Sequence, residues 1–376
     1  MKSQWNDQEA AQFVGDLAQR VYSSRLLGRD PSLVLHGGGN TSVKVRETNL
    51  FGEEEEVLYI KGRGYNLETI GTVGFSPCRL QPLLRLSQLN ALSDAQMENE
   101  LALALTHAGA PPPSVETLLH AILPAKFVDH THADALLAVM NTPNGREHVQ
   151  EMYGGRVVII PYVMPGFKLV RACKELFPRL AKPDTVGMVL MHHGLFTFGD
   201  TAQMSYERMI ELVDCAEKYL AAHDAHDVQW PPVVPPAQPQ RLEIATLRRV
   251  VSVAVGAPVI MTSHADSQSL GFARHPNVLA VSQRGAVTPD HVIRTKRVPL
   301  VGRDVAAFCR AYEEYVQAHA MGDELACVDP APRVILDSEF GLCVVGRTAN
   351  DAAIAEDIYR TNSIRRVCTV FPADIR

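Results

Sequence analysis

Two α/β domains in tandem are what this sequence predicts. Short branched-apolar runs alternate with amphipathic stretches, a five-proline segment interrupts the chain, and 376 residues suit about two domains.

Apolar residues near helical spacing (Ala11, Phe13, Val14, Leu17, Val21) predict a helix over Asp7–Leu27. Ser32–Val45 reads as strand, glycine turn, strand, and Val57–Lys61 as a short strand. Helices are expected over Pro77–Leu92, over Asp94–His107, and from a Ser114 cap to about Leu123. Strands follow at Lys126–His130, Val157–Pro161 and Val186–Met191, then a long helix over Asp200–Ala222. Pro231–Pro239 predicts a stiff, extended linker. The second domain is expected to hold helices Arg241–Val255, Arg303–Ala318 and Ala349–Tyr359 and strands Pro258–Thr262, Val334–Leu336 and Leu342–Val345. Domain bounds are therefore placed at 1–228 and 241–376, with a linker over 229–240.

A net charge of -6 argues against nucleic acid as a partner. No run of 18 apolar residues predicts a membrane helix, and the polar first ten residues do not read as a signal peptide, so a cytoplasmic protein is expected. The seven cysteines are scattered and never form CxxC, which excludes a disulfide framework or zinc knuckle; most are expected to be buried small hydrophobes. No GxGxxG dinucleotide fingerprint follows a strand.

The chemistry-bearing residues are histidines. In Asp129-His130-Thr131-His132 the two imidazoles, two residues apart, fall on one side of an extended chain and can reach one ion. His193 follows an apolar strand, and Gly194 permits tight passage of the backbone after it. Three neutral imidazoles with an open position make a catalytic rather than a structural metal site. The alternative is three ordinary hydrogen-bonded histidines, since an HxH pair alone is weak evidence for a metal. Glu116 reads either as a general base beside the ion or as half of an ordinary surface pair with His120. The turn Gly37–Ser42 can expose backbone N–H groups to an anion, with Gly39, Asn40, Thr41 and Ser42 as its contacts. Lys61, Gly62 and Gly64 after the next strand supply a second glycine turn and a cation. Two plain β-turns are the other reading. In the second domain Thr288–Arg297 carries His291 and Arg294; it either completes the pocket by binding an anionic group or is a solvated basic loop.

Three separated blocks, Gly37–Ser42, Pro113–Asp134 and His192–Gly199, resemble the class II aldolase/adducin family over roughly residues 10 to 225. The likeness is greatest to the aldolase half of bifunctional rhamnulose-phosphate aldolase/dehydrogenase proteins, and Thr288–Leu300 extends it into the second domain. The resemblance implies an α/β/α layered domain, a tetramer, and a divalent ion, with zinc expected first and manganese, cobalt or iron also suited to the ligands. It places the metal on His130, His132 and His193, the catalytic glutamate on Glu116, and phosphate contacts on Asn40, Thr41, Ser42 and Lys61–Gly64. Only one hydroxyl, Ser114, precedes Glu116 where smaller family members have serines, and Arg63 stands where a small residue is expected. The substrate's anionic group is accordingly left open between phosphate and carboxylate. The 376 residues show no dehydrogenase domain, so the resemblance does not extend to a bifunctional activity.

The expected reaction is retro-aldol cleavage of a small hydroxylated ketone, with Glu116 moving the proton and Tyr162 as the acid on the aldehyde side. Tyr162 reads equally as a packed aromatic. Epimerisation or decarboxylation on the same scaffold is the runner-up, and a non-catalytic adducin-like module the reading from another class.

Overall fold

The computed structural model describes residues 1–225, 233–234, 240–320 and 329–364. The chain divides into two compact units, Met1–Asp224 and Ala225–Arg376. Most of the expected linker Pro231–Pro239, as well as Cys327 and Cys368, lies outside the described residues. No described helix is long and apolar enough to cross a membrane.

Among the described residues, the first unit's sheet has strands β1 (Asn40–Thr48), β2 (Glu54–Lys61), β3 (Phe75–Arg79), β4 (Phe127–Thr131), β5 (Val157–Ile160), β6 (Gly187–Leu190) and β7 (Gly194–Gly199). Their order is β3-β2-β1-β4-β7-β6-β5. Only the β5–β6 pair is parallel; the others run antiparallel. Helices cover both faces, as an α/β layered domain requires. Helix Asp16–Gly28 packs against β1, and helix Ala202–Ala222 against β4 and β7. On the other face, Leu58, Ile60, Val128, Met188, Leu190 and Phe196 join Leu83, Leu101, Leu118 and Val170 in one buried cluster.

Several expected elements change. The helix predicted over Asp7–Leu27 is broken into Asp7–Ala10 and Asp16–Gly28, because Gly15 adopts φ 91° between them. Ser32–Leu35 forms turns and not a strand. The helix expected from Pro77 begins only at Leu80; Phe75–Arg79 is a strand, and Pro77 is tolerated because β3 lies at the sheet edge. Helices Asp134–Met140, Gly145–Tyr153 and Phe167–Leu180 and strand β7 went unassigned. Asp134–Met140 and β7 are short, nearly continuous apolar runs without periodicity, whereas Gly145–Tyr153 and Phe167–Leu180 are amphipathic and carry a legible helical pattern.

The second unit is also α/β. Its described sheet has order β8-β11-β10-β9, from β8 (Ile260–His264), β9 (Leu300–Val301), β10 (Val334–Asp337) and β11 (Gly341–Gly346). Helices Arg241–Val255 and Val305–His319 share a core with Ile335, Cys343 and Val345 on one face. Phe272, Ala355 and Tyr359 pack with Val334, Leu342 and Val344 on the other.

Candidate metal centre

The central strands bring the site together. On β4, His130 stands opposite Asn40 of β1 and Phe196 of β7. His132 lies just beyond the strand. Residue alternation sends His130 to the opposite face from Asp129 and Thr131. The sharp β6–β7 connection supplies His193: its N–H donates to the Leu190 carbonyl at 3.1 Å, and His192 takes φ 58° to make the turn.

Three imidazoles, far apart in sequence, thus converge, with one potential ligand nitrogen from each within 4.8 Å of the others. His130 Nε2 and His132 Nε2 are 3.2 Å apart. Tetrahedral zinc–nitrogen bonds would set neighbouring nitrogens at about 3.3 Å, so the pair suits one ion. The His130 Nδ1 faces the Leu195 carbonyl at 3.1 Å. A carbonyl can only accept, so Nδ1 carries the proton and Nε2 keeps its lone pair, the outer support typical of metal-binding histidines. His130 stacks on Phe196 with centroids 4.1 Å apart. Burial holds it well below the ordinary imidazole range, and the neutral ring is the ligand form.

Gly194 is where the chain leaves the turn to start β7. A Cβ there would lie 2.5 Å from the Thr131 carbonyl, 2.7 Å from His130 Cε1 and 3.0 Å from His132 Cδ2. The missing side chain is what lets the two histidine segments come this close.

Glu116 sits at the cap before helix Thr117–Ile122, not in its first turn as expected. Its Oε1 is 3.0 Å from His193 Nε2 and its Oε2 3.4 Å from His130 Nε2. The Asn40 amide donates to Oε2, and the Glu116 N–H donates to Ser114 Oγ at 3.2 Å. Asn40 therefore positions this carboxylate, and Ser114 holds the backbone that carries it. His120 is not the surface partner of Glu116. It is fully buried, bonded through Nδ1 to Ser42 Oγ at 2.8 Å, and burial drives it down to about 3.

The glycine turns depart from the expected anion cradle. Thr41 points to the other face of the sheet, as alternation dictates, where its hydroxyl meets Ser24 Oγ at 2.8 Å. Both Thr41 and Ser42 are completely buried with their hydroxyls engaged by neighbouring side chains. Gly39 (φ 65°) lies against Val34 and the His130 carbonyl and serves close packing. Lys61 is buried and donates to the Gly37 carbonyl at 2.8 Å, so the two turns are joined to each other. Gly62 N–H is held by the Gly74 carbonyl, and Arg63 is bonded to the Pro112 and Pro113 carbonyls. Gly64 takes φ 82° within this second turn.

Tyr162 is 55% exposed, and its ring packs edge-on to His192 at 6.0 Å. His192 in turn bonds Asn141 Oδ1 at 3.0 Å. The structure thus places Tyr162 against His192, not among the triad. In the second unit His291 is buried and bonds Thr288 Oγ1 at 2.9 Å, whereas Arg294 is exposed. With one buried and the other exposed, they do not form one basic surface.

Sequence reasoning missed Arg20, Ser205 and Asp129. Arg20 and Asp129 form a fully buried ion pair at 2.5 Å beneath the HxH strand. Asp129 was visible between the apolar Val128 and His130, but its partner was not.

The description "Class II Aldolase and Adducin N-terminal domain" matches residues 18–220, and "Aldolase class II, second domain" matches residues 238–367. The chain belongs to the class II aldolase/adducin family. Within it, a Bacillus subtilis (strain 168) protein described as "Uncharacterized oxidoreductase YuxG" is 32% identical over 96% of this chain. This chain spans 55% of that relative's length. Among solved structures, the N-terminal class II aldolase domain of a conserved Thermoplasma acidophilum protein is 41% identical, with TM-score 0.54, over 58% of this chain and 99% of that one. An L-fuculose-1-phosphate aldolase from Thermus thermophilus is 15% identical, with TM-score 0.36, over 54% of this chain and 94% of that one.

Proposed function

We propose that this family member is a divalent-metal-dependent lyase that cleaves a hydroxylated ketone by a retro-aldol reaction. Residues 1–228 carry the chemistry in this reading, and zinc is the metal expected first. The observation that carries it is the convergence of the His130, His132 and His193 nitrogens, within 4.8 Å, beside the Glu116 carboxylate. A non-catalytic interaction module has no need of this buried arrangement.

His130, His132 and His193 would hold the ion. When bound, it supplies a Lewis acid that polarises the substrate carbonyl and offsets the negative charge left as the C–C bond breaks. Glu116 stands within hydrogen-bond reach of the ligand nitrogens, and so beside any substrate oxygen seated there. As a base it takes the proton of the hydroxyl beyond the breaking bond. The O–H pair becomes the aldehyde C=O, and the C–C pair passes to the carbon next to the ketone. The protonated Glu116 then returns the proton to that carbon. Asn40 fixes the carboxylate for both transfers, and Ser114 holds the Glu116 backbone. The Phe196 ring and the apolar cluster behind it keep water from this side of the pocket. The relative named an oxidoreductase is nearly twice as long as the matched region, and that word applies to the whole of it.

The test pairs metal analysis with product detection. Purified protein is expected to hold about one divalent ion per chain and to release an aldehyde from hydroxyketone or ketose-phosphate substrates. His193→Ala should lose both properties. Metal-loaded wild type that releases carbon dioxide or only an isomer would replace cleavage by decarboxylation or epimerisation.

A further inference from the structure

We propose that His192 and Asn141 are positioning residues for the third ligand. The hydrogen bond between them ties the turn that carries His193 to the segment that carries His130 and His132, and so sets how tightly the triad holds a divalent ion. The inference rests on the reading that this triad binds metal. The ligands come from two stretches far apart in the chain: His130 and His132 on and just beyond β4, His193 in the connection from β6 to β7. That connection turns on His192, whose φ of 58° lies in the left-handed region that few residues other than glycine enter. Glycine would adopt this angle without strain, so a histidine here has to be explained by its side chain.

That side chain is engaged twice. His192 Nδ1 lies 3.0 Å from Asn141 Oδ1, and an amide oxygen only accepts, so Nδ1–H donates. The Tyr162 ring meets the imidazole edge-on at 6.0 Å. The place of the acceptor in the fold gives the bond its meaning. Asn141 caps the C-terminal end of helix Asp134–Met140, and that helix starts two residues after His132. All seven of its residues are buried, and it packs against β7 and helix Ala202–Ala222. The Asn141 N–H donates to the Leu137 carbonyl at 3.0 Å, which fixes Asn141 to the helix end. Seven residues make a helix about 10 Å long. A short, rigid strut therefore runs from the HxH pair to the acceptor of His192. A strained φ persists only where the surroundings over-determine it, and this bond is one such constraint. It acts from outside the pocket, since His192 is exposed and His193 buried. Gly194 lets the two histidine segments approach, whereas the His192–Asn141 bond keeps the turn in register with them.

The test is the zinc affinity of the full chain, read by competition with a chromogenic chelator on protein shown to be folded by circular dichroism. Asn141→Ala is expected to weaken zinc binding about tenfold, the lower end of what losing an outer support of a metal ligand costs. His192→Gly should do the same, because glycine keeps the turn and loses the bond. The two losses should not multiply: the double variant should be no weaker than the weaker single one. Asn141→Asp, whose carboxylate still accepts from Nδ1, should bind zinc nearly as wild type does. A merely structural role would leave the aspartate variant as weak as the alanine one. That result would overturn the proposal, and so would wild-type affinity in Asn141→Ala and His192→Gly, or losses that multiply in the double variant. Should one single variant fail to fold, the other carries the comparison with wild type. Wild-type protein that binds no zinc would overturn the metal reading and this inference with it, whereas tight wild-type binding that Asn141→Ala leaves unchanged would overturn this inference alone.

Discussion

Arg20 Nη2 lies 2.5 Å from Asp129 Oδ1, with both side chains fully buried on the face of β4 opposite His130. Asp129 also accepts from Ser205 Oγ at 2.5 Å, and Arg20 donates to Ser23 at 2.7 Å. Helices Asp16–Gly28 and Ala202–Ala222 are thereby tied to the strand that carries the first imidazole. Removing one partner leaves a buried, uncompensated charge. Arg20→Met should cost about 3–5 kcal/mol of stability by urea unfolding. The Arg20→Met/Asp129→Leu double variant should recover much of that loss. A double variant as unstable as the sum of the two single changes would refute this account.

Gly194→Ala should damage metal binding although every ligand is kept. The added Cβ meets the Thr131 carbonyl and both rings of the HxH pair. Backbone cannot yield cheaply, so the histidines shift. Metal affinity measured by competition with a chromogenic chelator should fall about 10–100-fold, the size seen when supporting groups are disturbed. Unaltered affinity would mean that the turn relaxes instead.

Glu116→Gln should separate binding from turnover. The amide preserves shape, and three imidazoles remain, so metal content should stay near wild type. Turnover should fall by about 10²–10⁴ if Glu116 transfers the proton. A fully active variant removes that role. Asn40→Ala, which frees the carboxylate from its amide partner, is expected to lower turnover less.

Lys44 gives a pH signature. Its Nζ donates to the Leu123 and Ala125 carbonyls in a largely buried setting, and burial lowers its pKa to about 8. The unfolded side chain titrates near 10.5. Between these values the unfolded chain holds the extra proton, so stability rises with pH through the window and is flat below it. The gain is on the order of 3 kcal/mol. Relative to Lys44→Met, wild type should therefore gain stability from pH 8 to pH 10.5. Parallel pH profiles for the two proteins would contradict the burial argument.

The amino-acid sequence by itself determined most of the elements and the reactive groups. His130 and His132 two apart, a glycine after His193, and a carboxylate at residue 116 are local patterns, and local patterns follow from backbone periodicity and steric limits. Tertiary structure alone decided which groups meet. Strand order places β4 between β1 and β7, and that order sets Asn40 beside His130 and turns Thr41 away to Ser24. Likewise His120, four residues from Glu116, reads as a surface partner until burial commits it to Ser42. The reason is physical. A hydrogen bond across 76 or 78 residues depends on loop closure and sheet register, and neither leaves a periodic trace in the segments it joins.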